Sequence, residues 1–395
     1  MASRDGTYQF ERIQIKNWKN FSDINLKLAP RVFLVGPNAS GKSNFLDVFR
    51  FLRDLAIEGG GFQEAVKRRR GVSAIRSLSA RKHSDIEINV EVKVPKENVM
   101  WSYELIFNQD NRSRPVIKKE KIIKKENGGQ KLILDRPLEE DRSDQERLRQ
   151  THLEQVTMNQ SFRDLSVFFS SVQYLHIVPQ LIREPDRSVG YANDPYGGDF
   201  LEQIAKTHEK TRQAWLRKIH EALKVAIPQL KSIELWRDER GTPHLRGKYE
   251  HWRPQGAWQT EEQFSDGTLR LIGLLWALLS GRGPLLLEEP ELSLHPEVVK
   301  YIPQMFARMQ LRTNRQIIVT THSPELLKDQ GIGLDEVILL YPKREGTEAK
   351  LASTIDEAKS LLEAGIPLDE IMRVETQPER AFQLSLFPEN VSSKN

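Results

Sequence analysis

Hydrophobic and polar residues alternate with a period of two along several short segments in the first third of the chain, a pattern typical of β-strands. FERIQI at 10–15 and INLKL at 24–28 alternate in this way, and RVFLV at 31–35 is a short apolar run. More segments of this kind follow, with connections too short for helical crossovers, which predicts an antiparallel sheet. These segments are 85–94, 101–107, 115–123 and 131–134.

Helical spacing of apolar residues begins just after residue 43. In NFLDVFRFLRDLAIE the apolar residues recur on one helix face, until the glycines at 59–61 end the pattern. From about residue 139 to 175 the composition is charged and helical, with too few heptads for a long coiled coil. The remaining predicted elements are a buried strand at 174–178, a helix at 199–225, a hairpin of strands 231–238 and 243–250, and helices at 269–279 and 354–375.

Composition places the chain among soluble proteins. Its 395 residues are 38% hydrophobic and 29% charged, which allows a substantial core. The absence of cysteine excludes disulfides and zinc–thiolate sites. The N-terminus lacks the apolar run of a signal peptide, and the longest apolar stretch, LIGLLWALL at 271–279, is too short to cross a bilayer. These features predict a cytoplasmic protein without a membrane partner.

The charge pattern leaves two interpretations open. The net charge is only +4, but basic residues cluster in the first third. Such clusters attract phosphate backbones, although solvated strand or loop faces give the same pattern. The clusters are Lys67 to Arg70, Arg76, Arg81-Lys82 and the run from Lys118 to Lys125.

One string, GPNASGKS at 36–43, has the composition of a phosphate-binding loop and lies between an apolar strand and a helix. The glycines let the backbone wrap around phosphates, and N–H groups of the loop and helix start face the anion. In this context Lys42 is expected to bridge the β- and γ-phosphates of ATP and Ser43 to bind Mg²⁺. The predicted nucleotide-binding residues here are Gly36, Asn38, Gly41, Lys42, Ser43 and Asn44.

Three further strings lie far downstream: FSDGT at 264–268, LLLEEPE at 285–291 and TTHS at 320–323. Ser265 is suited to cap the following helix, whose N-terminus could then bind a γ-phosphate. LLLEEPE is an apolar strand that ends in carboxylates, and QIIVTT at 316–321 is a buried strand that ends at His322. Taken singly, each string is also explained as a helix cap, a charged loop or a structural histidine.

Together and in this order, the four strings resemble ATP-binding-cassette ATPases of the RecF/SMC type. In this resemblance FSDGT is the signature loop, in a variant similar to that of OLD-like ATPases. The resemblance implies that Glu289 polarises the attacking water and that His322 contacts the γ-phosphate. Ser265 and Gly267 would bind the ATP of a partner subunit, so that two chains close head to tail. Glu288 stands where the family usually has aspartate on the magnesium side, a change that could slow turnover because Mg²⁺ demands near-ideal octahedral geometry.

The resemblance implies further parts with less definite positions. SLHPE at 293–297 occupies the place of a dimer-contact loop, where His295 could report across the interface, a role that the sequence does not fix. Gln63 is a candidate γ-phosphate sensor, and residues near 17–19 are candidates for contact with the nucleotide base or phosphates. Neither a nuclease constellation nor a TOPRIM domain is expected, because the last forty or so residues are too few for a separate catalytic domain.

The fold class predicted from these observations is α/β: an ATP-binding-cassette head, with a mixed sheet carrying the phosphate loop and an antiparallel β lobe, interrupted by an insertion of helices and strands. The predicted divisions are an N-terminal lobe at 1–138, the insertion at 139–260, a C-terminal lobe at 261–345, a C-terminal helix at 346–376 and a flexible tail at 377–395.

The tail contains a peptide similar to the pentapeptide by which bacterial proteins bind the replication sliding clamp. Its glutamine offers polar contacts, and its leucines and phenylalanine could anchor in an apolar groove. Docking of the same residues on the protein's own core is the alternative. The residues are Gln383, Leu384, Leu386 and Phe387.

The sequence therefore predicts an ATPase that uses ATP and Mg²⁺, forms a homodimer on ATP binding and acts on or near nucleic acid, with DNA favoured. Repair, chromosome maintenance and antiphage defence all fit. The alternative is a low-turnover ATP-dependent scaffold that holds a separately encoded effector, such as a nuclease or toxin. A transporter's cassette subunit is disfavoured by the FSDGT variant and the split lobe.

Overall fold

Three β-sheets and thirteen α-helices make up the part of the chain that the computed structural model describes, residues 8–80, 84–95, 97–126, 128–184, 194, 196–251 and 257–376. The predicted clamp-binding peptide and Arg81-Lys82 lie outside these residues. The first sheet is antiparallel, in the order β2-β1-β4-β5-β6-β7. Its strands are β1 (Gln9–Trp18), β2 (Phe21–Lys27), β4 (Ile86–Val94), β5 (Val99–Gln109), β6 (Pro115–Glu126) and β7 (Gly129–Arg136).

The second sheet is mixed and has the order β15-β14-β3-β13-β12-β8. All neighbours in it pair in parallel except β15, which is antiparallel to β14. Because neighbouring parallel strands point the same way, the segments after β3, β12, β13 and β8 meet at one edge. The strands are β3 (Arg31–Val35), β8 (Gln173–Leu175), β12 (Leu285–Glu288), β13 (Ile317–Thr321), β14 (Val337–Lys343) and β15 (Gly346–Leu351).

The third sheet is a small antiparallel one in the order β11-β10-β9. Its strands are β9 (Leu230–Arg237), β10 (Pro243–Tyr249) and β11 (Ala257–Thr260). The helices are α1 (Lys42–Ala56), α2 (Phe62–Arg68), α3 (Val72–Ile75), α4 (Glu139–Ser143), α5 (Arg163–Ser170), α6 (Pro179–Arg183), α7 (Phe200–Lys206), α8 (Glu209–Ala226), α9 (Asp266–Leu279), α10 (Pro296–Val299), α11 (Ile302–Thr313), α12 (Asp356–Glu363) and α13 (Leu368–Thr376).

Alternate residues of the parallel strands enter two different hydrophobic cores. In β3, Val32 and Leu34 join α1 and the antiparallel sheet, whereas Phe33 and Val35 join α9, α11 and α13 on the opposite face. A third core lies between the small sheet and α7, α8 and α9. Helix α9 contributes to both the second and third cores, so the helix after the predicted signature loop connects the two regions. The parallel strands are thus buried on both faces, as expected for such a sheet.

The predicted α/β fold class is confirmed, and so are the antiparallel sheet and the 231–250 hairpin. Several details differ. The helix predicted at 199–225 is two helices separated at residues 207–208, and the one predicted at 354–375 is also divided. The region 346–376 opens with strand β15, which was not predicted. Strand β8 has only three residues and is half-buried, because it lies at the edge of the sheet. Helix α5, within the predicted insertion, packs against α1.

Candidate functional site

The four predicted strings lie at two different places in the fold. Three of them follow β3, β12 and β13, which are neighbours in the order β3-β13-β12, so their side chains lie at one edge of the parallel sheet. The fourth, FSDGT, forms the start of α9, with Ser265 as the N-cap, on the other side of the second core. The site is therefore built from residues almost three hundred positions apart, as the distance between Ser43 and His322 in the sequence shows.

The phosphate loop has the backbone shape that its glycines allow. Gly41 has a φ of +98°, and a Cβ there would collide with the side chain of Asn20, which is packed under the loop. Asn20 Nδ2 donates to the Ser40 carbonyl at 3.0 Å and to Thr347 Oγ1 at 2.8 Å, while its Oδ1 accepts from Asn44 at 2.7 Å. Neither Asn20 nor Thr347 was predicted as a site residue, because one lies in a β-turn and the other on a strand distant in the sequence, and neither matches a phosphate-binding pattern. Asn44, predicted to bind the nucleotide, therefore forms a hydrogen bond with Asn20, the side chain packed under the loop.

Helix α1 starts at the phosphate loop with its N-terminal groups available. Among the described residues no side chain caps α1, and no acidic residue lies in its first turn. The exposed N–H groups and the positive end of the helix dipole suit an anion. Asn38 lies exposed at the tip of the loop, next to Ala39, whose φ is +63°. This geometry fits the triphosphate of a nucleotide.

Lys42 is buried beneath the loop and turned toward it. Its Nζ donates to the carbonyls of Gly36 at 2.9 Å and Pro37 at 3.2 Å, and lies 3.8 Å from Glu289 Oε1. Burial lowers the pKa of Lys42, against the opposing attraction of Glu289 and Glu288. The ammonium is therefore short of compensating negative charge, a condition that a bound phosphate would relieve.

Ser43 and Glu288, the two predicted magnesium ligands, are in contact. Ser43 Oγ donates to Glu288 Oε1, and Tyr174 donates its hydroxyl to Glu288 Oε2. His176 Nδ1 lies 3.3 Å from the Glu288 carbonyl. A hydroxyl and a carboxylate at the foot of a phosphate loop are oxygen ligands of the kind Mg²⁺ prefers, so the donor set fits this metal.

Tyr174 is a site residue that the sequence argument overlooked. It lies on β8, the neighbour of β12, and parallel pairing sets Tyr174 beside Leu286 so that its hydroxyl reaches the end of β12. Burial and the nearby Glu288 carboxylate raise the pKa of Tyr174 well above its usual value, so the phenol remains a donor at neutral pH. The guanidinium of Arg50 covers the ring at 4.3 Å. The sequence did predict a strand at 174–178, but it did not show that this strand lies beside β12.

Glu289, the predicted catalytic base, sits at the turn immediately after β12. Its φ is +44°, an uncommon value for a residue other than glycine, and its N–H bonds to Thr320 on β13. His322 Nδ1 lies 3.1 Å from Glu289 Oε1. The structure therefore brings Lys42, Glu289 and His322 together, with the Glu289 carboxylate between the Lys42 ammonium and the His322 imidazole.

A further carboxylate lies behind this group. Glu291 is buried and accepts a hydrogen bond from Thr321 Oγ1, but its Oε2 has no partner among the described residues. Burial raises the pKa of Glu291. Burial also lowers the pKa of Arg270 on α9, against the opposing charges of Asp266, Glu289 and Glu291.

Ser265 caps α9, as predicted. Its Oγ accepts from the Thr268 N–H at 3.1 Å, and Arg183 holds the loop by donating to the Phe264 carbonyl and to Asp266, both at 2.6 Å. A Cβ on Gly267 would lie 2.5 Å from the Ser293 carbonyl, so this glycine permits close contact with the loop after β12. Among the hydrogen bonds of the described residues, none joins Ser265 to the phosphate loop of its own chain.

A cleft of about 560 Å³ opens beside the phosphate loop. It lies between residues 36–38, the segment His322 to Pro324, and helix α13, which contributes Asp369 and Arg373. The predicted switch histidine thus faces an accessible space next to the loop. Across the described residues, no helix is both long enough and apolar enough to cross a membrane.

Three secondary expectations receive a structural explanation instead. Gln63 donates to the main-chain carbonyls of Pro115 and Arg149, so its amide joins α2 to β6. Trp18 is completely buried and bonds to the Asn44 carbonyl at 3.0 Å, which excludes stacking on a base. Lys19 pairs with Asp47 on α1 at 2.7 Å. These residues support helix α1 and its surroundings.

His295 lies exposed, and its Nδ1 accepts a hydrogen bond from the Glu297 N–H at 3.2 Å, which caps α10. It follows the Ser293 turn that packs on Gly267. The capping role is sufficient to explain the residue within one chain, and a contact across a dimer stays a prediction.

Comparison with known proteins agrees with this architecture. An SMC head bound to the C-winged helix domain of ScpA has a TM-score of 0.50 at 15% identity, covering 86% of this chain and 96% of that one. The SMC head domain from Thermotoga maritima has a TM-score of 0.46 at 13% identity, covering 87% and 98%. At such low identity the likeness concerns the fold alone.

Two sequence matches add to this. Endonuclease GajA of Bacillus cereus (strain VD045) is 40% identical over 57 residues, which is 14% of this chain. The matched stretch spans only 10% of that protein's length. A family model described as "AAA domain, putative AbiEii toxin, Type IV TA system" matches residues 31–328, from the strand before the phosphate loop to beyond His322. The chain therefore belongs to this AAA-domain family and has the fold of an SMC-type ATPase head.

Proposed function

We propose that this chain is an ATP-binding and ATP-hydrolysing enzyme that dimerises on ATP and acts on or near DNA. The observation that carries the proposal is the convergence of Ser43, Glu288, Lys42, Glu289 and His322 at one edge of the parallel sheet. These groups belong to three separate segments of the sequence. Their meeting under an uncapped helix start supports a phosphoryl-transfer site better than any structural role does.

Each side chain then has a part in hydrolysis. Lys42 and the N–H groups of the loop would hold the phosphates, and Glu289 would accept a proton from the attacking water. His322, bonded to Glu289, would position that carboxylate and sense the γ-phosphate. Ser43 and Glu288 would hold Mg²⁺, which when bound neutralises part of the phosphate charge.

The position of the signature loop supports the proposed dimerisation. Ser265 is exposed at the N-terminus of α9 and forms hydrogen bonds only with its own helix, at Thr268 and Leu269, among the described residues. A helix start with an exposed hydroxyl can accept a phosphate from another molecule. A second copy of the chain would supply that phosphate as its own bound ATP.

The cellular setting is inferred more broadly. The family description names a toxin–antitoxin system, which favours defence over repair or chromosome maintenance and suits a separately encoded effector. The basic residues of the first third are the candidate contacts for nucleic acid, apart from Arg69, which is buried in ion pairs with Asp47 and Asp54. The tail peptide at 383–387 is the candidate contact for a sliding clamp. We place the protein in the cytoplasm.

A low-turnover scaffold is the second candidate, and the state of Glu288 favours it. Both oxygens of this carboxylate already accept hydrogen bonds, from Ser43 and from Tyr174. Binding of Mg²⁺ between Ser43 and Glu288 would have to replace one of these bonds. A slow ATPase that holds an effector in the ATP-bound dimer is consistent with this arrangement.

Glu289→Gln tests both candidates. Removing the base should lower ATP hydrolysis by about 10²- to 10⁴-fold while leaving ATP binding in place. The variant should therefore accumulate as a dimer with ATP, measured by light scattering after size exclusion. Glu221→Gln, at an exposed glutamate of α8 paired with Lys224, is the matched control and should behave as wild type. Equal near-zero rates in wild type and Glu289→Gln would favour the scaffold, and monomers in every condition would contradict the shared site.

A further inference from the structure

The small sheet of β9, β10 and β11 has one buried face and one open face. Leu230, Ile233 and Leu245 point into the third core. The opposite face is open to solvent and carries two of the exposed aromatic residues of the protein, Trp236 and Trp258, which are 37% and 43% exposed. The outward positions, paired across the three strands, are Ser232, Glu234, Trp236, His244, Arg246, Lys248, Trp258 and Thr260.

Cations lie between the two tryptophans on this face. The guanidinium carbon of Arg246 lies 4.5 Å from the centre of the Trp258 ring and 5.5 Å from that of Trp236. Lys248 Nζ lies 6.0 Å from the Trp258 ring. Because β10 lies between β9 and β11, the two rings are separate platforms with positive charge between them.

The charge of the open face is positive at its centre. Glu234 is its only carboxylate, and it pairs with Arg246 at 2.7 Å. Lys248 forms no ion pair among the described residues. Among the outward positions Arg246 and Lys248 outnumber Glu234, while the neighbouring carboxylates of Asp238 and Glu261 contact His244. The open face therefore combines flat aromatic surfaces with cations.

We propose that this open face binds single-stranded nucleic acid, with bases stacked on Trp236 and Trp258 and the phosphate backbone near Arg246 and Lys248. Aromatic side chains on a sheet, combined with a positive surface, are the means by which proteins hold unpaired bases without reading their sequence. The inference rests on the proposed function, which it extends by naming the class of nucleic acid and the surface.

A protein partner fits the open face less well. Lysine and glutamate are depleted at protein–protein interfaces, although tryptophan and arginine are enriched there. Here the centre is the Arg246–Glu234 pair with Lys248, and the two tryptophans are the only apolar side chains among the outward positions. A nucleic acid supplies bases that can stack on the two tryptophans and phosphates that can pair with the cations.

The open face is joined to the signature loop through a short stretch of chain. A turn at 261–263 follows β11, and Phe264 and Ser265 come next. Buried Glu261 accepts hydrogen bonds from His244 and from the Leu245 N–H, both on β10. The Phe264 ring packs on Tyr249 at 6.3 Å between centroids. A ligand that orders this sheet would therefore act on the position of Ser265, so single strands should stimulate ATP hydrolysis.

The test is a binding titration of the full chain with fluorescent oligonucleotides of about 20 nucleotides, a length sufficient to span one such site. Oligo-dT, oligo-U and a duplex of the same length form the three arms, read by anisotropy. Trp236→Ala and Trp258→Ala should each weaken binding of the single strands about tenfold, since each removes one stacked base, and the double alanine variant Trp236→Ala/Trp258→Ala should weaken it further. Tyr301→Ala, at an aromatic residue exposed elsewhere, is the control.

Two further measurements separate stacking from charge. Lys248→Gln should weaken binding only about two- to threefold and reduce the salt dependence by roughly one ion. Trp236→Phe/Trp258→Phe should remove the quenching of tryptophan fluorescence that stacking causes, and it preserves the shape of the sheet. ATP hydrolysis without nucleic acid should be unchanged in all these variants, which shows that they are folded.

The outcomes distinguish this surface from the broader function. If wild type binds single strands and the double alanine variant binds equally well, the surface is wrong while the proposed nucleic-acid function stands. Tighter binding of duplex than of single strands, with no effect of the tryptophans, also overturns the surface. If wild type binds none of the three ligands with or without ATP, both proposals fail. Self-association that is lost in the double variant would assign the open face to a second copy of the chain.

Discussion

Two groups of charged side chains in this protein both combine cations with carboxylates, but their hydrogen bonds and ion pairs are satisfied to different degrees. In the antiparallel lobe, Arg136 is fully buried with Glu120 and Asp141, bonding to both at 2.9 Å. It also donates to two main-chain carbonyls. Glu120 in addition accepts from the N–H groups of residues 152 and 153. Nearly every hydrogen-bonding atom in this cluster has a partner within the chain.

The phosphate site is less complete. Lys42 is buried with only loop carbonyls and a carboxylate 3.8 Å away, Glu291 has an unbonded oxygen, and Glu289 holds a backbone conformation with positive φ. Unsatisfied buried groups and backbone strain reduce stability, and they persist where a ligand compensates for them. Incomplete hydrogen bonding and ion pairing of buried groups, more than their charge, therefore distinguishes the phosphate site from the structural cluster around Arg136.

The largest effect that this comparison predicts is on stability. Arg136→Met leaves the buried Glu120 without a cation and Asp141 with only the partly exposed Arg147, and should reduce the free energy of unfolding by about 3–5 kcal/mol. Arg147→Met, at a partly exposed arginine of the same cluster, should reduce it far less. Urea unfolding followed by circular dichroism measures both. Equal losses in the two variants would show that completeness of pairing is not what matters.

At the phosphate site the expected loss is in activity. Tyr174→Phe removes the hydroxyl that orients Glu288 and should lower magnesium-dependent ATP hydrolysis about 10- to 100-fold, as removal of a group that orients a metal ligand does. The Mg²⁺ concentration for half-maximal rate should rise, which a merely structural role would not cause. Stability should change little, and Tyr301→Phe is the control. An unchanged magnesium requirement would refute the positioning role.

The smallest expected effect concerns Glu154, which is intermediate between the two groups. It accepts hydrogen bonds from Phe62 N–H and Thr151, but it forms no ion pair among the described residues. Burial raises the pKa of Glu154 from 4.5 to about 7. Since the folded state holds this proton more tightly, the stabilisation is complete below pH 4.5 and is lost as the pH rises through 7.

Glu154→Gln should therefore melt a few degrees higher than wild type at pH 8, and the difference should shrink toward pH 5. Thermal unfolding at several pH values measures it. Glu146→Gln, at an exposed glutamate paired with Arg149, controls for the loss of a carboxylate alone. A difference that is independent of pH would mean that the carboxyl of Glu154 does not titrate in this range.

Much of the fold could be predicted because local patterns agreed with the final structure. The alternation in β1, β2, β4 and β5 matched one buried face, and the glycine loop lay between an apolar strand and an amphipathic helix. Elements whose limits depend on neighbours were less accurate. Strand β8 is short and half-buried because it lies at an edge, and α7 and α8 separate at residues 207–208 although their periodicity is similar.

The sequence by itself determined the chemical groups of the phosphate site, because a glycine loop, its lysine and serine, and two carboxylates after an apolar strand leave few other uses. Tertiary structure alone decided which residues support them. Parallel pairing set Tyr174 beside the end of β12, and the sheet edge brought Asn20 and Thr347 under the loop. The same packing removed Gln63 and Trp18 from the site. Such contacts arise between strands distant in the sequence, and strand order is not encoded in any local pattern.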